Sequence, residues 1–104
     1  MLIEITYNDK EYELKYNLKR IEMIESQTSM PTVAQIQKTL GYFGVKDLKI
    51  YLQMGLKEKG ADAFVMPKPA LEIAEALIKQ DYQNACGYVL DALERDCPFF
   101  FRAD

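Results

Sequence analysis

Carboxylates are the residues of this chain best placed for chemistry. Glu22 and Glu25 stand three apart, as do Glu72 and Glu75, a spacing that puts both members of a pair on one side of a helix. Paired carboxylates can hold a metal in a helical bundle, but that architecture also draws on histidines at helical offsets. The chain has no histidine. That absence removes Ser-His-Asp and Cys-His arrangements and imidazole-based zinc sites together. Both pairs also fall on the polar side of amphipathic segments, so they read as solvated faces. Cys86 and Cys97 are eleven positions apart. On one helix that is roughly 16 Å along the axis, beyond disulfide reach. No CxxC pair or phosphate-cradling glycine motif occurs. The expectation is a protein that is not an enzyme and uses no cofactor.

Binding is the better-supported use of these residues. Phe99, Phe100 and Phe101 are consecutive, and three adjacent aromatic side chains cannot all face one core. At least one is expected to be exposed, as interaction sites often are. Phe64, Val65 and Met66 form a second apolar group between Gly60 and Pro67. They are expected to plug the core or project as a contact, with the plug favoured. The seven tyrosines are expected to pack with their hydroxyls reaching the surface. A net charge of −3 and scattered lysines argue against nucleic acid, which calls for a basic stripe.

The elements that position these groups follow from periodicity. Ile3 to Tyr7 and Tyr12 to Tyr16 alternate apolar with polar, the signature of half-buried strands. Asn8-Asp9 suits a tight turn, and a two-residue loop sets Ile5 opposite Tyr12 and Ile3 opposite Leu14. Asn17 can cap a helix from Leu18 to about Gln27, with Leu18, Ile21 and Ile24 facing inward. Thr32 and Gln35 form a capping-box pattern for a second helix with the stripe Val33, Ile36, Leu40 and Phe43. Gly41 or Gly44 is expected to take its left-handed cap.

A third helix is expected over about Val45 to Lys59, burying Leu48, Tyr51, Leu52 and Leu56 and ending at Gly60. Lys57 and Lys59 would suit its C-terminal dipole, and Gly55 would admit a neighbouring backbone. Pro69 opens a fourth helix with Ala70, Leu71, Ala74, Leu77 and Ile78 inward, and Asp81 caps a fifth bearing Ala85, Cys86, Val89, Leu90 and Leu93. The reading is mainly α with an N-terminal β-hairpin, an α+β class of about five helices in one domain. Its parts are a hairpin over 2–16, a helical region over 18–97 and an aromatic tail over 98–104. No signal peptide or membrane-spanning run is visible, so a cytoplasmic protein is expected.

This pattern resembles the tail assembly chaperones of long-tailed bacteriophages and prophages. The resemblance rests on the acidic hairpin and capped helix from Ile5 to Glu25, and on the leucine-rich helix Leu48 to Lys57 ending Met54-Gly55-Leu56-Lys57. It covers about the first 60 residues specifically and the rest in amphipathic type only. It implies a role in the bacterial host cytoplasm: binding the apolar tape measure protein and keeping it soluble until tail tube protein assembles around it. It also implies no membrane partner and possible homo-oligomers. The alternative is a structural tail or connector component retained in the particle. For the chaperone role, Phe99, Phe100 and Phe101, and secondarily Phe64, Val65 and Met66, are the expected contacts.

Overall fold

A two-residue turn sets the register of the sheet. Asn8 and Asp9 sit at φ 51° and 65°, the left-handed pair that matches strand twist in a tight hairpin. They join β1 (Ile5–Tyr7) to β2 (Lys10–Leu14), antiparallel, with Ile5 opposite Tyr12 as the alternation predicts. The computed structural model describes residues 5–101, so the expected Ile3–Leu14 pair lies outside the described residues.

The sheet has a third strand that periodicity hides. The helix expected to run to Lys59 ends at Gly55, and Leu56–Glu58 forms β3, pairing antiparallel with β2 so that Leu14 faces Leu56. Pairing satisfies backbone groups that a helix would otherwise use. The Lys15 N–H donates to the Gly55 carbonyl at 2.8 Å, and the Lys59 N–H to the Glu11 carbonyl at 2.9 Å. Lys57 and Lys59 therefore do not complement a helix end, and Gly60 (φ 84°) turns the chain after a strand. A neighbouring backbone does meet Gly55 at its carbonyl, and the Tyr16 ring fills the space that a Cβ there would take.

The described residues form five α-helices, of which the third and fifth pack on β2. In α1 (Leu18–Glu25) the Asn17 side chain accepts from the Arg20 N–H at 2.8 Å, as expected of a cap. Ile21 and Ile24 are buried but Leu18 is exposed. Steps of three residues sweep about 120° from 18 to 24, so the first member leaves the core face. The helices α3 (Val45–Gly55), α4 (Pro67–Gln80) and α5 (Tyr82–Asp96) pack against one another, and α5 runs into a 3-10 turn at Pro98–Phe100. Asp81 caps α5 through the Asn84 N–H, as expected. Ile73 joins the α4 core face, while Leu71 and Ile78 are only partly covered. Cys86 and Cys97 are free and buried. Among the described residues no helix is long and apolar enough to cross a membrane.

Helix α2 (Thr32–Thr39) turns a polar side inward. Thr32 is its first residue rather than its cap, because the Glu25 carboxylate already accepts the Thr32 N–H at 2.7 Å. Thr32 and Gln35 are the buried residues, and the Gln35 amide donates to Asp47 at 2.5 Å. Of the expected stripe only Phe43 is fully buried; Val33 and Leu40 face outward. Leu40 itself takes the left-handed cap (φ 55°), Gly41 follows at φ 90°, and Gly44 has ordinary backbone.

Two buried tyrosines tie these layers together. The Tyr16 hydroxyl donates to the Tyr51 carbonyl at 2.7 Å, and the Tyr51 hydroxyl to the Thr32 hydroxyl at 3.0 Å. Their hydroxyls do not reach the surface, contrary to the sequence expectation: each ends on a partner deep in the core. Burial pushes the Tyr51 hydroxyl from 10.0 up to about 12, with Glu25 and Asp47 adding to the rise and the Thr32 bond opposing it. Burial likewise raises Tyr16 well above its ordinary value. A raised folded pKa gives stability that is complete below the unfolded value and is lost as pH rises through the folded one. Unfolding titrations should therefore show stability falling from pH 10 toward 12, and Tyr51→Phe should flatten part of that fall.

Candidate functional site

One member of each carboxylate pair contacts another element. Glu25 holds the start of α2, and Glu75 lies 3.6 Å from Lys49. Glu22 and Glu72 are exposed. Among the described residues no three His, Cys, Asp or Glu side chains converge as metal ligands.

A denser charge cluster fastens α5 to the sheet. The Asp96 carboxylate accepts the Tyr16 N–H at 2.9 Å and the Arg95 Nη2 at 2.8 Å, and lies 3.4 Å from Lys15 Nζ. The Arg95 guanidinium also donates to the Leu14 carbonyl. Burial opposes ionisation of Asp96, but the Arg95 contact, the Tyr16 amide and Lys15 outweigh it and hold its pKa below the usual value. With these donors around it the carboxylate acts as a joint and has little capacity left for proton transfer.

Apolar side chains that the fold leaves uncovered are the stronger candidates. The segment after β3 returns along it: Phe64 bridges Lys57, and the Val65 N–H donates to the Leu56 carbonyl at 2.9 Å. Phe64 is half-buried with the Arg20 guanidinium 3.8 Å above its ring, a cation–π arrangement. Val65 packs on the core, and Met66 stands 70% exposed. The expected plug is thus partial: two members anchor and the third projects.

The aromatic tail divides in the same way. Phe100 and Phe101 pack against the core, while Phe99 is 48% exposed and rests on Phe100 with ring centroids 4.7 Å apart. The Phe100 and Phe101 N–H groups donate to the Cys97 and Pro98 carbonyls, closing the turn that holds Phe99 outward. Each apolar group is tied to a residue at or just ahead of α1. Phe64 stacks on Arg20 of α1, and the tail follows Asp96, which grips Tyr16 just ahead of that helix.

A third apolar group lies where a buried stripe was expected. Leu40, Tyr42 and Val45 are 77%, 61% and 55% exposed around buried Phe43. On one side of this loop Leu40 and Tyr42 border a cavity of about 310 Å³ against Gly87 and Leu90 of α5. On the other, Val45 borders one of about 210 Å³ against Lys49, Ile78 and Lys79. The available signal was Gly41 and Gly44: a short glycine-bracketed loop reverses direction and cannot turn every apolar residue inward. Comparison with protein-family models, curated proteins and solved structures gives no match at any part of the chain.

Proposed function

We propose that the chain is a binding protein that covers an apolar helical partner, acting as a phage or prophage tail assembly chaperone in the host cytoplasm. On this reading the partner is the tape measure protein, held until tail tube protein replaces it. The observation that supports it most directly is the exposure of two large apolar side chains, Met66 and Phe99. Each projects from a segment whose neighbours, Val65 in one case and Phe100 and Phe101 in the other, are rooted in the core. Anchored neighbours already fix the backbone at each position, so covering these side chains costs side-chain ordering but little backbone ordering. A helix laid across such residues buries its own apolar stripe, the usual mode of helix-in-groove recognition. The net charge of −3 favours solubility of the resulting complex.

Co-expression with the tape measure protein tests this reading. The wild-type chain should carry that protein into the soluble fraction and co-purify with it. Replacing all three tail phenylalanines would confuse binding with folding, since Phe100 and Phe101 pack against the core. Met66→Ser/Phe99→Ser removes only the projecting groups. It should melt within a few degrees of wild type and recover about tenfold less tape measure protein, as expected for losing an interface anchor. A tape measure protein that stays insoluble beside the wild-type chain would refute the reading. Abundant chain in purified particles would favour a retained structural component instead.

A further inference from the structure

The loop between α2 and α3 is built to hold its apolar residues outward. The Tyr82 hydroxyl donates to the Phe43 carbonyl, and the Phe43 ring packs 5.0 Å from the Tyr51 ring. The Tyr42 N–H donates to the Thr39 carbonyl at 3.0 Å. Gly41 sits so close to Leu90 that a Cβ there would fall 2.8 Å from its Cδ2. Leu40 keeps a left-handed backbone although it has a Cβ, a conformation that costs about 1 kcal/mol or more. Fixed backbone and exposed apolar side chains together make a preformed surface.

Charge indicates what that surface takes. The cavity beside Val45 is lined by two ammonium groups, Lys49 and Lys79, and one carboxylate, Glu75. Glu75 is paired with Lys49, and Lys79 has no ion-pair partner among the described residues. In the first turn of α3, Lys46 adds an exposed cation next to Val45 and Asp47 a carboxylate held by the Gln35 amide, so three ammonium groups face two carboxylates. The cavity on the Leu40 side has no charged lining. An excess of cation thus accompanies the apolar loop on a chain whose net charge is −3.

We propose that the Leu40–Tyr42–Val45 loop docks an amphipathic helix of a partner protein, one whose apolar ridge is flanked by carboxylates at the end lying over Val45 and Lys79. This surface is distinct from the Met66 and Phe99 groups. Electrostatic complementarity of this kind selects partners and their orientation, while the apolar ridge supplies the affinity.

Fluorescence anisotropy with labelled synthetic helices, each on the order of 18 residues so that it can hold helical form when bound, tests the proposal. Three peptides share one leucine ridge and differ in flanking residues: all Glu, all Gln or all Lys. The Glu peptide should bind the wild-type chain about tenfold tighter than the Lys peptide at low salt. Tyr42→Ser should weaken it about tenfold, and Lys79→Glu should erase the preference, both with unchanged thermal melts because these side chains are exposed. Phe99→Ser should leave peptide binding intact. No binding, equal affinity for the three peptides, or indifference to Tyr42→Ser would each overturn the proposal. So would sedimentation showing a dimer that Tyr42→Ser dissociates, which would make a second copy the occupant.

Discussion

Gly55→Ala is expected to destabilise the protein by about 2–3 kcal/mol, the range for forcing extra atoms into a packed core. A Cβ at this position would lie 2.7 Å from two ring carbons of Tyr16 and 2.9 Å from its hydroxyl oxygen. The ring has no easy retreat. It is buried, meets Tyr51 edge-on at 6.4 Å, and is fixed at its far end by the hydrogen bond to the Tyr51 carbonyl. Alanine's better helix propensity, worth about 1 kcal/mol over glycine, offsets only part of this. Gly87→Ala supplies the contrast. Gly87 lies within α5 and a Cβ there meets nothing within 4 Å. That variant should gain about 0.5–1 kcal/mol from propensity alone. Urea unfolding should move the two midpoints in opposite directions, with Gly55→Ala below wild type and Gly87→Ala above it.

Removing the Asp96 carboxylate is expected to cost about 2 kcal/mol, through the Tyr16 N–H more than through the ion pairs. Asp96→Ala leaves that amide without its acceptor, and an unmet backbone donor in a covered site costs about 1–3 kcal/mol. Lys15 and Arg95 stay substantially solvated, so their lost pairing adds little. The same contacts give a pH signature. Because the folded carboxyl titrates below its ordinary value, its contribution is complete above the unfolded pKa and disappears as pH falls through the folded one. Acid unfolding of wild type should therefore steepen below pH 3.8, and Asp96→Ala should lack that component. An Asp96→Ala protein with wild-type acid sensitivity would show that other carboxylates control it.

The hairpin, the caps at Asn17 and Asp81 and the α5 stripe are legible from the sequence because each depends on neighbours a few residues away. The third strand is not. Leu48, Tyr51, Leu52 and Leu56 fit helical spacing, and Leu56 is indeed buried, but it reaches the core from a strand. What separates the two readings is the partner, β2, more than forty positions earlier in the chain. Gly55 marked the break, though the same residue also fits close packing inside a helix. The site was legible in part. Phe99 projects, as three adjacent phenylalanines required of at least one, and Met66 projects although a core plug was favoured, whereas Leu40 resembles a core residue until α2 is seen to turn Thr32 and Gln35 inward. Those two residues bury because distant groups, Tyr51 and Asp47, meet their polar atoms. Local periodicity carries no trace of such partners.

The joint between α5 and the sheet also sets a timetable for synthesis. The Leu14 carbonyl and the Tyr16 amide wait for Arg95 and Asp96, made 81 and 80 residues later. At ordinary elongation rates that delay is on the order of 4 to 16 s. Through that interval a nascent chain can add β3 and the Lys15–Gly55 bond, but the Leu14 carbonyl and the Tyr16 amide still lack their partners. Ribosome-bound chains stalled short of residue 95 should thus stay more open to protease around Leu14 to Asn17 than the complete chain.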